Sequence, residues 1–203
     1  MADLLIATRN AGKVREFAQI FADLDIPDLR LRTLDDMGIA GEVEETGITF
    51  AENARLKAEG YMQQAGVPTL ADDSGLEVAA LDGAPGVHSA RYGGVKGRAQ
   101  LDYLLEQLSG VPFHHRLARF VCVIALARPG GETECVEGTL PGVIEHAPRG
   151  EGGFGYDPLF YVLDADKTLA ELPPEHKNAI SHRAAAAREA RLVLGRWHAE
   201  GWL

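Results

Sequence analysis

The sequence predicts an α/β domain, and three observations carry that class. Leu4-Leu-Ile-Ala7 reads as a short buried strand, after which Val14, Phe17, Phe21 and Leu24 recur at helical spacing. A second helical stripe, Ala51, Ala54, Ala58, Tyr61, Met62 and Ala65, precedes the apolar run Val67-Pro-Thr-Leu-Ala71, whose length and β-branched content suit a buried strand. Arg119 to Ala127 and Glu132 to Thr139, joined by Pro129-Gly-Gly131, read as an antiparallel hairpin inside this βα pattern. That hairpin, with the Pro-rich loop after it, could form a separate lobe or extend one sheet, and the residues leave both open.

At 203 residues the chain suits one sizeable domain, or two closely joined lobes, able to bury roughly 70% of its unfolded surface. Hydrophobic residues make up 46% and charged residues 25%, without a long charge block or a repeat, which excludes a disordered or low-complexity protein. The apolar runs are far short of a membrane span. The first residues, Met-Ala-Asp-Leu-Leu-Ile-Ala, lack the basic and long apolar regions of a secretion signal, so a cytoplasmic location is expected. A net charge of −10 argues against a nucleic-acid polymer as the main partner, because phosphate backbones need a basic stripe. A small phosphorylated ligand is compatible with it, given a local cluster of Lys and Arg and a divalent cation. Cys122 and Cys135 lie in strand-like runs without CxxC spacing and read as buried free thiols.

Between the first strand and helix stands Thr8-Arg-Asn-Ala-Gly-Lys13. A strand-loop-helix junction points backbone N–H groups and a positive helix end at one spot, where phosphate binds. It is not a P-loop, since the first glycine is absent and Val14 stands where Ser or Thr is needed. The competing reading is a plain turn in which Asn10 caps the helix and Lys13 is solvated. Leu29 to Leu34 alternates as a half-buried strand, and the acidic segment Asp35 to Gly47 reads as a loop. Thr49 and Glu52 form a capping box for the second helix, which ends near Gly66. Glu44, Glu45 and Asn53 stand near its start, where carboxylates can serve the helix dipole alone or supply an acidic ligand to a hard cation.

Asp72 and Asp73 follow the strand directly, which puts two carboxylates at its end, where ligands bind in open α/β sheets. Adjacent carboxylates there need a metal, a proton or basic partners. The bland alternative is a turn, for which Asp, Ser and Gly are ordinary residues. Leu101, Leu104, Leu105 and Leu108 mark a helix closed by Gly110 and Pro112. In Gly150-Glu-Gly-Gly-Phe-Gly-Tyr-Asp-Pro158 the glycines fit a backbone close to a ligand, with an aromatic face for a base. The alternative is a surface loop whose aromatics fold back on the core. Ser181 can cap the last helix, with Ala186, Ala190, Val193, Leu194 and Trp197 inward, and Lys177, His182 and Arg183 form a cation cluster at its start.

Together these segments resemble the inosine triphosphate pyrophosphatase family, the non-canonical purine nucleoside triphosphate (dITP/XTP) pyrophosphatases. The resemblance rests on Thr8-Arg-Asn-Ala-Gly-Lys13, Glu44-Glu-Thr-Gly-Ile-Thr-Phe50 with Glu52-Asn-Ala54, Ala71-Asp-Asp-Ser-Gly75, and Gly83-Ala-Pro-Gly86 with Ser89-Ala-Arg-Tyr92. It continues through Gly152-Gly-Phe-Gly-Tyr-Asp-Pro158 and Lys177 with Ser181-His-Arg183. Arg9 departs from a glycine common in that loop, and could tighten phosphate binding or face solvent. The resemblance implies a long mixed central sheet flanked by helices, two lobes within one domain over residues 1–203, a cleft between them holding the site, and a homodimer. It implies Mg²⁺-dependent hydrolysis of ITP, dITP and XTP to the monophosphate and pyrophosphate, clearing deaminated purines from the nucleotide pool.

Carried over by position, Thr8, Arg9, Asn10, Ala11, Gly12 and Lys13 hold the phosphates. Glu44 and Asp73 bind the metal, and Asp73 is also the proton acceptor. Ser74, Phe154, Gly155, Tyr156, Asp157, Lys177, His182 and Arg183 contact the nucleotide. Donors such as Arg183 or His182 aimed at a 6-oxo group would select inosine and xanthosine over adenosine. Two rival readings are a nucleotide sensor without turnover and a pyrophosphatase for other modified nucleotides.

Overall fold

Alternating apolar runs and amphipathic stripes build a seven-stranded sheet in the computed structural model, which describes residues 2–21 and 26–203. In chain order the elements are β1 (Ala2–Ile6), α1 (Ala11–Ile20), β2 (Leu29–Thr33), α2 (Phe50–Ala65), β3 (Thr69–Val78), α3 (Arg98–Gln107), β4 (Leu117–Ala127), β5 (Glu134–Ile144), β6 (Phe160–Val162), β7 (Lys167–Thr168), α4 (Pro174–Ile180) and α5 (His182–Ala199). Leu24, expected in the stripe of the first helix, lies outside the described residues. The strand order is β2-β1-β3-β4-β5-β6-β7. β1 runs parallel to β2 and β3, whereas β5, β6 and β7 pair antiparallel, so the sheet is mixed, as expected. β4 and β5 are neighbours in this one sheet, which resolves the hairpin as an extension of it. Pro141 lies inside β5, and β6 pairs only with Val143 and Ile144, so the missing N–H falls outside that pairing.

Local chemistry sets the helix ends. Asn10 Oδ1 accepts from the N–H groups of Gly12 and Lys13 at 2.9 and 3.2 Å, opening α1. Thr49 and Glu52 form the reciprocal capping box of α2, and Gly66 closes it in the left-handed conformation. The buried face of α2 is Phe50, Asn53, Ala54, Ala58 and Tyr61, turned from the expected stripe, so that Ala51 is exposed and a polar residue joins the inner face.

The chain divides into two compact units. The first comprises Met1–Asp73, Cys122–Gly138 and Arg183–Leu203, with a core that packs Leu4, Phe17, Leu70, Ile124, Leu194 and Trp197. The second comprises Ser74–Val121 and Thr139–His182, with a core around Leu76, Leu104, Phe120, Tyr156 and Phe160. Burial of such side chains contributes about 1.5–3 kcal/mol each. Cys122 is buried and Cys135 only half-buried, both as free thiols. Among the described residues no helix is long and apolar enough to cross a membrane.

Candidate active site

The sequence reading places Asp72 and Asp73 at a strand end or in a turn, and the structure corrects both. β3 runs for ten residues from Thr69 to Val78, so the two carboxylates lie within it. The strand that ends there is β1. Ile6 is in register with Leu70, and beyond Ala7, whose N–H donates to the Leu70 carbonyl at 2.7 Å, the chain leaves the sheet as the Thr8–Lys13 loop. β3 continues past that carboxyl end and carries its acidic pair alongside the loop. This explains why residues about sixty positions apart meet.

Asp72 and Asp73 point to opposite faces, as successive strand residues must. Asp72 is fully withdrawn from solvent, with Lys13 Nζ at 2.8 Å and Arg183 Nε at 3.7 Å from its Oδ2. Burial pushes its pKa up, but Lys13, Arg183 and Lys57 outweigh that and hold the carboxyl well below the ordinary range. Asp73 is also buried, and Asn53 Nδ2 donates to its Oδ2 at 3.2 Å. Its pKa moves the other way: burial raises it more than Lys57, Lys13 and the Asn53 hydrogen bond lower it, and Glu45 adds to the rise. The two adjacent carboxylates thus differ in proton affinity, Asp72 lowered and Asp73 raised.

Lys57 is the residue that sequence reasoning missed. Its Nζ lies 3.2 Å from Glu45 Oε1 and 3.6 Å from Asp73 Oδ1. Burial alone would lower its pKa, yet Asp73, Asp72 and Glu45 reverse that and hold it charged. A signal existed: Asn53 and Lys57 are four residues apart on α2, so a carboxylate that meets one lies near the other. The convergence of two carboxylates on one ammonium also tests the site for a metal. Oxygen donors gathered around a positive charge suit a hard cation. Glu44 is exposed on the same acidic run, next to Glu45. Among the described residues no group of three or more His, Cys, Asp or Glu is gathered as a ligand set.

In the Thr8–Lys13 loop the cap by Asn10 is realised, but Lys13 is not solvated. The Asn10 cap occupies the N–H groups of Gly12 and Lys13, leaving Thr8, Asn10 and Lys13 side chains as the chemistry-bearing donors. Arg9 donates from one terminal nitrogen to the Ile39 and Gly41 carbonyls at 2.8 and 3.0 Å.

The second unit carries its own cluster. Asp157 Oδ2 accepts from the Phe154 N–H at 2.7 Å and from Lys177 Nζ at 2.8 Å, and Lys177 Nζ also lies 4.7 Å from the centre of the Phe154 ring. Gly153 makes this possible: its φ is +71°, and a Cβ there would meet Asp157 Oδ2 at 2.0 Å. The ring of Phe154 stays 41% exposed. Tyr156 is buried instead, its hydroxyl donating to the Ser89 carbonyl at 3.0 Å, and burial pushes its phenol well above the usual range. Ser74, on β3, is half-buried. His182 stacks on Phe120 with ring centres 4.8 Å apart. Of the expected cation cluster, Lys177 pairs with Asp157, His182 stacks on Phe120, and Arg183 pairs with Asp72 and Glu16.

The family model described as Ham1 family matches residues 4–192. The chain is 55% identical over 188 residues to a dITP/XTP pyrophosphatase of Geobacillus kaustophilus, covering 92% of this chain and 91% of that one. It is 52% identical over 197 residues to a dITP/XTP pyrophosphatase of Geobacter sulfurreducens, covering 96% and 98%. Among solved structures, a HAM1 protein from Coxiella burnetii superposes with a TM-score of 0.88 at 40% identity over 97% of this chain and 100% of that one. The Ham1 protein of Staphylococcus aureus gives 0.85 at 42% identity over 95% and 98%. With its sequence matched almost end to end and its fold superposing on these structures, the chain belongs to the Ham1 family.

Proposed function

We propose that this protein hydrolyses deaminated purine nucleoside triphosphates, ITP, dITP and XTP, to the monophosphate and pyrophosphate, and so keeps those bases out of DNA and RNA. The observation that carries the reading is the convergence of Lys13 and Arg183 on Asp72, at 2.8 and 3.7 Å from its Oδ2, beside Asp73, which takes Asn53 and Lys57 instead. Relatives more than half identical and named dITP/XTP pyrophosphatase support the substrate class. One catalytic domain over residues 1–203, a homodimer and a cytoplasmic setting belong to the same reading and rest on the family likeness.

In this mechanism Lys13, with Thr8 and Asn10 beside it, draws the phosphates to the start of α1, where the helix dipole favours anions. Arg9, Ala11 and Gly12 complete the loop. Glu44 and Asp73 would hold Mg²⁺. Bound there, the ion neutralises phosphate charge and lowers the pKa of its water. Asp73 accepts the proton of the attacking water. The water oxygen bonds to phosphorus, the bridging P–O bond breaks, and pyrophosphate leaves with that electron pair. Lys57, close to Asp73, opposes the rise of its pKa.

For the nucleoside, the exposed ring of Phe154 is the stacking face, held by Asp157 and Lys177. Gly155 and the backbone of Tyr156 line that loop, and Ser74, His182 and Arg183 are the remaining contacts. A 6-oxo base accepts hydrogen bonds where adenine donates, so a site built of donors leaves adenine unsatisfied. The test is pyrophosphate release on ITP, dITP, XTP, ATP, GTP and UTP, with Mg²⁺ and with EDTA. Release confined to the 6-oxo purines other than GTP, and lost with EDTA, is expected. No turnover on any of them leaves a nucleotide sensor, and preference for a pyrimidine moves the protein to another substrate class.

A further inference from the structure

We infer that Arg9 is a positioning residue, whose task is to fix the acidic run Glu42–Glu45 beside the Thr8–Lys13 loop. The inference rests on the proposed metal role of Glu44 and Asp73. The run lies in residues 39–48, which form neither helix nor strand, so its backbone has no ladder to hold it. Attachments to side chains replace the ladder. Toward α2, the Tyr61 hydroxyl stands 3.4 Å from the Val43 N–H, Val43 packs against Gly60 closely enough to exclude a Cβ there, and Asn53 Oδ1 accepts from the Gly47 N–H at 2.8 Å. At the other end, Arg9 gives both hydrogens of one terminal nitrogen to the Ile39 and Gly41 carbonyls, at 2.8 and 3.0 Å, with its other terminal nitrogen 3.8 Å from Asp35 Oδ1.

Glu44 and Glu45 therefore sit on a span pinned at both ends, and one pin comes from the phosphate loop itself. A glycine at position 9 could supply neither bond. A side chain committed in this way to two carbonyls has less of its donor fork left for a phosphate. It shapes the place where the carboxylates wait, and couples the loop that takes the phosphates to the run that takes the cation.

The measurement uses Arg9→Met, which keeps the length and removes the donors, with Arg9→Gln as a second variant should the first not fold. Binding of Mn²⁺ alone, followed by titration calorimetry without nucleotide, is expected to weaken about fivefold or more, the range of a modest coupling between sites. Amide exchange over residues 39–47 is expected to speed up in the metal-free protein. Steady-state kinetics should show a raised Mg²⁺ requirement. Unchanged Mn²⁺ affinity and unchanged exchange, together with a raised KM for ITP at every Mg²⁺ level, would make Arg9 a direct phosphate contact and overturn the inference. If wild-type protein turns over none of the triphosphates, the proposed activity fails, while the Mn²⁺ and exchange measurements still decide what Arg9 does.

Discussion

Lys13 Nζ and Asp72 Oδ2 form a 2.8 Å ion pair whose carboxylate has no exposed side-chain surface. The pair joins the first turn of α1 to the middle of β3, and Arg183 approaches the same oxygen from α5. Asp72 is thus the anion that holds cations in place, whereas its neighbour Asp73 is the one whose proton affinity is increased.

Asp72→Asn leaves two buried cations facing a neutral amide, a loss of roughly 3–5 kcal/mol for a broken buried pair. At about 2–4 °C per kcal/mol in a chain of this size, Tm at pH 7 should fall by roughly 10 °C. The sign with pH follows from the depressed pKa. The stabilisation is present above the unfolded value of about 3.9 and is lost as pH falls through the lower folded value. Calorimetry from pH 7 downward should show the gap between wild type and variant narrowing only below about pH 4.

Asp73→Asn should cut turnover by at least about 10²-fold, the lower range for loss of a general base. Because burial raises this pKa, its contribution favours folding below the unfolded value and is lost as pH rises through the folded one. At pH 7 the variant is therefore expected to be as stable as wild type or more so. Near-normal turnover in a folded Asp73→Asn would remove Asp73 as the base. Lys57 lowers the Asp73 pKa, so Lys57→Met should move the acid limb of kcat/KM to higher pH, which a pH profile reads directly.

Phe154→Ala should raise the KM for ITP about tenfold, within the 1–3 kcal/mol range of base stacking on an aromatic ring. An unchanged KM would count against the stacking role. Gly153→Ala tests the support under that ring. Its Cβ would fall on Asp157 Oδ2, so the bond to the Phe154 N–H must open and KM should rise although Phe154 is present.

Tyr156→Phe removes the donor to the Ser89 carbonyl, and a loss of about 1–2 kcal/mol is expected in denaturant unfolding. Since the ring lies in the core of the second unit, the KM for ITP should stay within about twofold. A large rise in KM at unchanged stability would put the hydroxyl on the nucleotide.

Local features were legible in the residues because local rules govern them. Asn10, the Thr49/Glu52 box and Gly66 are recognisable at helix ends, and Ala186, Ala190, Val193, Leu194 and Trp197 reveal the inner face of α5 by spacing. The mixed sheet was likewise open to sequence reading, through pattern and family likeness. What the sequence by itself determined is most of the longer elements, several of their caps and, apart from Lys57, the groups able to do chemistry. Only the tertiary structure decided that Lys13 and Arg183 converge on Asp72, that Lys57 lies against Asp73, and that Arg9 reaches the Ile39 and Gly41 carbonyls. The reason is that a charge takes its character from burial and from partners within a few ångströms, and here those partners come from α2, just before β3, and from α1 and α5, distant from it in sequence.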